Sequence, residues 1–291
     1  MKGSRNGDQG LLVISQTGLC SHAASERDML HTAYHLQMPD RCRSAVVFAS
    51  PHSGRDYPAD LMQASVLDPH SIRSSEDAFV DRLFDCAPAF GAPLIAGALA
   101  RAYVDLNRAA DELDPALIDG VSRSTHNPRV ASGLGVVPRV VAGGRAIYRG
   151  KLPRDAATDR LRRVWVPYHA QLRALLAAAH AAHGQAVLVD CHSMPHEAVA
   201  GTARAGRRAE IVIGDRFGAS ADPEIVDRVE AAFVQAGFVV ARNAPFAGAY
   251  VTQHYGRPAH RQHAVQIEID RAIYMDEATI RPNAHFDAFR A

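Results

Sequence analysis

The stretch 186-AVLVDCHSMP-195 begins as an apolar run and ends in polar residues that can carry chemistry. A short continuous apolar run such as Ala186–Cys191 is typical of a buried strand. Side chains alternate along a strand, so Asp190 and His192 lie on the same side of it. A carboxylate two residues from a histidine can bind a metal or orient the histidine, and it can also simply cap the next helix.

Outward from this strand, further strand-like runs alternate with helical patterns. The predicted strands are Ser44–Ser50, Tyr103–Leu106, Ala186–Cys191, Glu210–Gly214, Phe238–Ala241 and Gln262–Asp270. The predicted helices are Glu76–Gly91, Asp155–Gly184 and Pro223–Gly237. This alternation is typical of an α/β domain with a mixed, mostly parallel sheet and helices on both faces. In such domains the site lies at the carboxyl ends of the strands.

The composition disfavours several classes of function. The 291 residues include 32 Lys plus Arg against 31 Asp plus Glu, without the basic excess of a nucleic-acid-binding protein. Apolar stretches such as Ala92–Ala100 are shorter than the roughly 20 residues of a membrane span. The four cysteines form no CxxC pair, which favours a reducing cytoplasm. Residues 1–40 are polar and weakly patterned, so we expect a loose extension before one catalytic domain at 41–291.

A second candidate residue follows the predicted strand Ser44–Ser50, where the chain reads 51-PHSG-54. A histidine at the carboxyl end of a strand, followed by a glycine turn, places its imidazole in the cleft where ligands bind. His52 is therefore a candidate metal ligand. The alternative is a turn histidine that is hydrogen-bonded to the backbone.

Arginines surround the predicted strand Tyr103–Leu106, since Arg101 precedes it and Asn107-Arg108 follows. A guanidinium group binds a carboxylate in bidentate fashion, so this pattern suits an anionic substrate. The alternative is an ordinary ion pair of Asp105 with one of the two arginines.

The late predicted strand Gln262–Asp270 carries Glu268 with Gln266 on the same side. Burial in an otherwise apolar strand would raise the pKa of Glu268, as a general base at neutral pH requires. The alternative is a buried glutamate paired with an arginine.

Together these residues fall in eight ordered motifs that resemble the N-formylglutamate amidohydrolase family. The motifs are SPHSG (50–54), the lone Asp77 before a helical pattern, RAYVDLNR (101–108), GLGVV (133–137), AIYRG (146–150), VDCHSMP (189–195), PFAGAYVTQHYGRP (245–258) and HAVQIEIDRAIYM (263–275). They occur in the family's order over most of the chain after residue 45. The set is far more specific than any single motif.

This family is in turn similar to the zinc carboxypeptidases and aspartoacylases. The resemblance implies a phosphorylase/hydrolase-like α/β sandwich of the zinc-carboxypeptidase type. It also implies one Zn²⁺ per chain (or another divalent metal), bound by His52 and His192, with Glu268 as the catalytic base. In those enzymes a glutamate three residues after the first histidine completes the zinc site. Here that position is Arg55, which cannot bind zinc.

The carboxylate ligand is therefore open, and Asp77 is the first choice. Glu76 and Asp190 are the alternatives. The resemblance further implies that Asn107 and Arg108 hold a substrate carboxylate, while Arg101 is catalytic at the oxyanion or binds a second carboxylate. The other residues expected to bind substrate are Tyr148, Gly248 and Thr252.

The function implied by the resemblance is hydrolysis of N-formyl-L-glutamate to formate and L-glutamate, a step of histidine degradation. The expected partner is thus a small N-acyl acidic amino acid, with no nucleic acid and no membrane, bound by a monomer or small homo-oligomer. One alternative is another N-acyl-amino-acid deacylase or a peptidase of the same fold. A non-catalytic ligand-binding homologue is the other.

Overall fold

A seven-stranded sheet organises the chain in the computed structural model, which describes residues 32–122, 127–202 and 208–291. Its strands are β1 (Tyr34–Gln37), β2 (Val46–Ser50), β3 (Leu94–Gly97), β4 (Ala186–Met194), β5 (Ile211–Gly214), β6 (Val240–Arg242) and β7 (Gln262–Asp270). The spatial order is β1-β3-β2-β4-β7-β5-β6. A separate two-stranded sheet pairs β8 (Met275–Asp276) with β9 (Arg281–Pro282).

The sheet is mixed but mostly parallel. The four central strands β3, β2, β4 and β7 run parallel to one another. Strand β1 is antiparallel to β3, and β5 is antiparallel to β7. The prediction of a mixed, mostly parallel sheet is confirmed, and β7 has the bounds that the sequence predicted.

Helices cover both faces of the sheet, as expected. They are α1 (Ala59–Ala64), α2 (Val80–Leu83), α3 (Pro128–Ala131), α4 (Arg154–Arg160), α5 (Val166–His183), α6 (Pro223–Gln235), α7 (Tyr250–Tyr255) and α8 (Phe286–Arg290). Helices α5 and α7 pack on one face, with Leu188 and Ala264 of the sheet in their core. Helices α2, α6 and α8 pack on the other face, over Val189 and Ile267.

The predicted helix Asp155–Gly184 forms as α4 and α5 joined by a π-helical turn, Leu161–Trp165. It ends at Gly184, whose φ of 68° is the left-handed conformation that glycine adopts without strain.

The register of β4 against β7 places the polar ends of the two strands side by side. Asp190 lies opposite Gln266, and His192 lies opposite Glu268. Opposite residues of neighbouring strands share a face. All four side chains therefore lie on the α5 side of the sheet, near the carboxyl ends of both strands.

The predicted strand Tyr103–Leu106 is wrong. Residues 101–108 form a buried loop of turns, and the strand of this region is β3, which lies inside the apolar stretch Ala92–Ala100. Tyr103, Val104 and Leu106 are buried in the α5-side core without pairing in the sheet. Their apolar character comes from this core, and it mimics the pattern of a strand.

The predicted helix Glu76–Gly91 is also wrong as a continuous element. A 3₁₀ helix, Ser71–Ser75, ends before it, and Phe79 has a left-handed φ of 67° just before the four-residue α2. Pro88 then falls in a second short 3₁₀ helix, Ala87–Phe90, which Gly91 caps. Proline lacks the amide hydrogen that a longer helix would need.

The predicted extension of residues 1–40 lies mostly outside the described residues. Within it, Tyr34–Gln37 form β1 and pair with β3 at the edge of the sheet. The described part of the chain contains no helix long and apolar enough to cross a membrane.

Candidate active site

Three buried side chains meet at the carboxyl ends of the central strands. His52 follows β2, His192 lies in β4, and Asp77 follows the 3₁₀ helix Ser71–Ser75. Their ligand atoms all lie within 4.8 Å of one another. The Asp77 amide donates to the carbonyl of His52 at 3.0 Å, which fixes the Asp77 loop against the end of β2. These three residues form a group that can hold a metal ion.

Both imidazoles present the same nitrogen to the same carboxylate oxygen. Asp77 Oδ2 lies 2.9 Å from His192 Nδ1 and 3.4 Å from His52 Nδ1. His52 Nδ1 is a buried atom without a hydrogen-bond partner among the described residues. An unpartnered buried nitrogen is costly unless something binds it. Two imidazole nitrogens and one carboxylate are the protein ligands of a typical catalytic zinc site, so the group fits such an ion.

The opposite nitrogens of both imidazoles are held by other carboxylates. His52 Nε2 lies 2.7 Å from Asp105 Oδ1, and His192 Nε2 lies 3.0 Å from Asp190 Oδ2. A carboxylate that accepts the Nε2–H leaves the Nδ1 lone pair free for a metal, and it fixes the ring. Asp190 therefore lies behind His192, in an orienting position.

The remaining alternative ligand, Glu76, points elsewhere. Its oxygens accept hydrogen bonds from Arg73 at 2.9 and 3.0 Å, and from the Tyr57 hydroxyl at 3.0 Å. Of the three candidate carboxylates, Asp77 is the one that the fold groups with both histidines.

Two arginines contact Oδ1 of Asp77, the carboxylate oxygen that faces away from the histidines. Arg271 Nη2 donates to Asp77 Oδ1 at 3.1 Å, and Arg101 Nη1 lies 3.6 Å from the same oxygen. Burial alone would raise the pKa of Asp77. The hydrogen bond with His192, the close approach of His52 and the charge of Arg101 outweigh it and hold the pKa well below its ordinary value. Arg271 was not among the predicted site residues, although it lies inside the motif 263-HAVQIEIDRAIYM-275.

Glu268, the predicted base, lies on the polar face of β7. It is buried beside His192, and Gln266 Nε2 donates to its Oε1 at 2.7 Å. Burial raises the pKa of Glu268 to about 7, an increase that the neighbouring His192 charge opposes and the Asp77 charge reinforces. A carboxyl group with this pKa can exchange a proton at neutral pH.

The residues of the 101–108 loop make contacts of three kinds. Arg101 Nη2 donates to Asp105 Oδ2 at 3.0 Å, which is one of the ion pairs that the sequence left open. Asn107 Nδ2 donates to Asp190 Oδ2 at 3.3 Å, and its Oδ1 accepts from the Val251 amide at 2.8 Å. Arg108 is buried and donates to two backbone carbonyls, those of Leu134 and Asn107, at 2.9 and 2.7 Å.

The other predicted substrate-binding residues lie in tightly packed surroundings. The Tyr148 hydroxyl accepts from Arg160 Nη1 at 2.7 Å. Gly248 has a φ of 109°, and a Cβ there would lie 2.4 Å from Thr252 Oγ1. The Thr252 hydroxyl donates to the Ala249 carbonyl at 2.9 Å. Gly248 and Thr252 thus shape the turn that leads into α7 and its Val251 amide.

Known proteins resemble this chain over most of its length. An N-formylglutamate deformylase of Pseudomonas aeruginosa is 34% identical over 247 residues, which cover 81% of this chain and 84% of the relative. An N-formylglutamate deformylase of Pseudomonas putida is 29% identical, over 81% of this chain and 83% of the relative. The crystal structure of an N-formylglutamate amidohydrolase from Ralstonia eutropha JMP134 superposes with a TM-score of 0.82 at 34% identity, over 88% of this chain and 92% of that one.

The fold, the site and these relatives define a hydrolase that acts on an amide bond. The model of one family, described as N-formylglutamate amidohydrolase, matches residues 44–275. The chain belongs to the N-formylglutamate amidohydrolase family, as its motifs indicated.

Proposed function

We propose that this chain hydrolyses N-formyl-L-glutamate to formate and L-glutamate with one zinc ion bound by His52, Asp77 and His192. The observation that carries the proposal is the convergence of the Nδ1 atoms of His52 and His192 on Asp77 Oδ2, beside the buried carboxyl of Glu268. Family membership supports the reaction, and the names of the relatives support the substrate. Such a reaction would serve histidine degradation.

His52, Asp77 and His192 would hold a zinc ion with one position left open, and the bound ion would supply polarisation of the formyl carbonyl and a lowered pKa of water. The residues of the chain supply the remaining steps. Glu268 takes a proton from the water whose oxygen attacks the formyl carbon. As the C–N bond breaks, Glu268 returns that proton to the departing amine of glutamate. A pKa near neutrality serves both transfers.

We assign recognition of the substrate carboxylates to Arg108 and Arg101. Among the described residues Arg108 forms no ion pair with a carboxylate, and its hydrogen bonds go to backbone carbonyls. A buried guanidinium group in this state suits an anionic ligand. Arg101 faces Asp77 and Asp105 and is available for the second carboxylate or the oxyanion. Tyr148, Gly248 and Thr252 would shape the pocket. Asn107 would orient Asp190 and His192, which its side chain contacts.

The test is release of formate, with metal analysis of the purified protein. We expect one zinc per chain, and turnover of N-formylglutamate above that of N-acetylglutamate and N-succinylglutamate. Faster release of another acyl group would establish a different deacylase of the same fold. Bound zinc without turnover of any of these substrates would favour the ligand-binding homologue.

The acidic substrate is tested by Arg108→Met. We expect kcat/KM for N-formylglutamate to fall by about one to two orders of magnitude, since a charge-assisted hydrogen bond contributes about 1.5–3 kcal/mol. Arg108→Lys should rescue poorly, because an ammonium group cannot reproduce the guanidinium fork. Equal activity of the unmodified enzyme on N-formylglutamate, its α-amide and N-formylglutamine would contradict recognition of the carboxylates.

We also propose that the protein works in the cytoplasm. Cys42 and Cys86 are exposed and unpaired, which suits a reducing compartment. A monomer or small homo-oligomer remains our prediction for its assembly, and size-exclusion chromatography with light scattering measures it directly.

A further inference from the structure

The loop 101–108 has no regular structure, so its shape depends on hydrogen bonds from other parts of the chain. The amide of Asp105 donates to the carbonyl of Val136 at 2.8 Å, and Asn107 Oδ1 accepts from the amide of Val251 at 2.8 Å. Two further hydrogen bonds come from side chains of the last residue of the π-helical turn and of the first turn of α5. They reach the carbonyl groups on either side of Asn107.

Those two side chains are Trp165 and His169. Trp165 Nε1–H donates to the carbonyl of Arg108 at 2.9 Å. His169 Nε2 lies 3.0 Å from the carbonyl of Leu106. Residues four apart in a helix lie on the same face, and the centroids of the two rings are 4.1 Å apart. We call Trp165 and His169 the carbonyl clamp.

The protonation of His169 follows from its partners. A carbonyl oxygen can only accept, so Nε2 carries the hydrogen, and Nδ1 accepts from the Tyr255 hydroxyl at 2.8 Å. Burial lowers the pKa of His169 to about 3, although the hydrogen bond to Leu106 opposes this effect. The ring therefore stays neutral at neutral pH, and its Nε2–H donates to the Leu106 carbonyl.

We propose that the carbonyl clamp positions Asn107 and Arg108 for catalysis, an inference that rests on the proposed function. The Asn107 side chain reaches 3.0 Å from His192 Nε2 and 3.3 Å from Asp190 Oδ2. A shift of the Asn107 backbone thus moves the groups that orient a metal ligand, and a shift at Arg108 moves the proposed substrate site. The π-helical turn directly before α5 agrees with this role, because such turns occur frequently at functional sites.

The test uses Trp165→Phe and His169→Phe, which remove the N–H donors and leave an aromatic ring at each position. We expect kcat/KM to fall by roughly 10- to 100-fold in each variant, because displacements of about 1 Å can cost that much. His169→Gln should recover most of the loss, since its amide N–H lies near the position of Nε2. Hydrogen exchange of the peptide containing residues 103–110 should be faster in both Phe variants and normal in the Gln variant.

Two matched variants separate positioning from general stability. His180→Phe removes a bond of the same kind on the same helix, from His180 Nε2 to the carbonyl of His260 at 3.1 Å. Leu172→Ala removes fully buried apolar packing from α5, three residues after His169. Both should leave exchange of residues 103–110 and kcat unchanged at a temperature where the variants are folded.

The outcomes distinguish the clamp from the proposed function. Normal exchange and activity in both Phe variants overturn the clamp, as does equal impairment of His169→Gln and His169→Phe. If Leu172→Ala lowers activity and speeds exchange of residues 103–110 as much as the Phe variants do, the clamp is also overturned, since the effect is then one of general packing. Faster local exchange in an enzyme whose unmodified form hydrolyses none of the N-acyl substrates retains the clamp and rejects the proposed function.

Discussion

The two faces of the β4–β7 pair share one backbone and differ in what they demand of their side chains. On one face Val189, Cys191 and Ile267 pack against helices and need only volume and apolar surface. On the other, Asp190 and His192 have partners from distant loops, and Gln266 and Glu268 are hydrogen-bonded to each other.

Even so, some atoms of the polar face stay unsatisfied. Asp190 Oδ1 and Gln266 Oε1, like His52 Nδ1, have no hydrogen-bond partner among the described residues. A buried unsatisfied polar atom destabilises a protein by about 1–3 kcal/mol. One strand pair therefore holds a stabilising face and a face on which stability is given up for chemistry. Substitutions on the two faces should therefore have separable effects.

We expect the largest loss of activity on substitution of His192, and its neighbour Cys191 on the apolar face provides the control. His192→Ala removes one of the three proposed ligands, so we expect loss of stoichiometric zinc and of all measurable turnover. His52→Ala should behave in the same way. Cys191→Ala, on the apolar face, should keep both metal and turnover. Metal analysis with a formate assay measures both, and near-normal zinc and turnover in His192→Ala would show that the metal site is wrongly assigned.

We expect the next largest loss of activity on substitution of Glu268, with its neighbour Ile267 on the apolar face as the control. Glu268→Gln preserves shape but cannot take a proton, and we expect kcat to fall by about 10²–10⁴-fold with metal content unchanged. Steady-state kinetics checks this, with Ile267→Val as the control. A fall in zinc would make Glu268 a ligand, and an unchanged kcat would remove it from the mechanism.

The pKa of Glu268 predicts a smaller effect on folding. This pKa is raised in the folded chain from 4.5 to about 7, chiefly by burial. The folded state therefore binds the proton more tightly than the unfolded state. The contribution to stability is present at low pH and is lost as pH rises through about 7.

In metal-free protein we thus expect the free energy of unfolding to decline between about pH 5 and about pH 8 by more in the unmodified chain than in Glu268→Gln. Urea unfolding of both proteins measures the difference. An equal decline would show that Glu268 is ionised in the folded state already at the lower pH.

The smallest effect belongs to the apolar face alone. Ile267→Val deletes one buried methylene group, which should lower the free energy of unfolding by about 0.5–1.5 kcal/mol. The kinetic constants should not change. A lowered kcat with unchanged stability would show that the two faces are coupled.

The sequence was sufficient where one segment determines its own environment. The apolar runs of β4 and β7 predict strands buried on both faces, and the histidines at strand ends point to the site. Asp77 came from the family resemblance, because nothing local distinguishes it from Glu76. The structure distinguishes them through the side chains they meet, His192 for one and Arg73 for the other.

The failures lie where distant partners decide the structure. The 101–108 loop looks like a strand because its apolar residues are buried, yet its carbonyls bind Trp165 and His169 about sixty residues later. The role of Arg271 depends in the same way on Asp77, which is 194 positions earlier in the chain. No local pattern contains such pairings, so the sequence predicted the candidates and left their contacts open.

The order of the strands has a consequence for synthesis on the ribosome. Strand β7 is the last of the seven in the chain, yet it lies between β4 and β5 in the sheet. Until residue 270 has emerged, the sheet exists at most as two halves, β1-β3-β2-β4 and β5-β6, each with an open edge. Open edges of this kind pair readily with other chains, so the unfinished protein is more prone to aggregate than the finished one. The last strand made closes the gap and delivers Glu268 beside His192 in the same event.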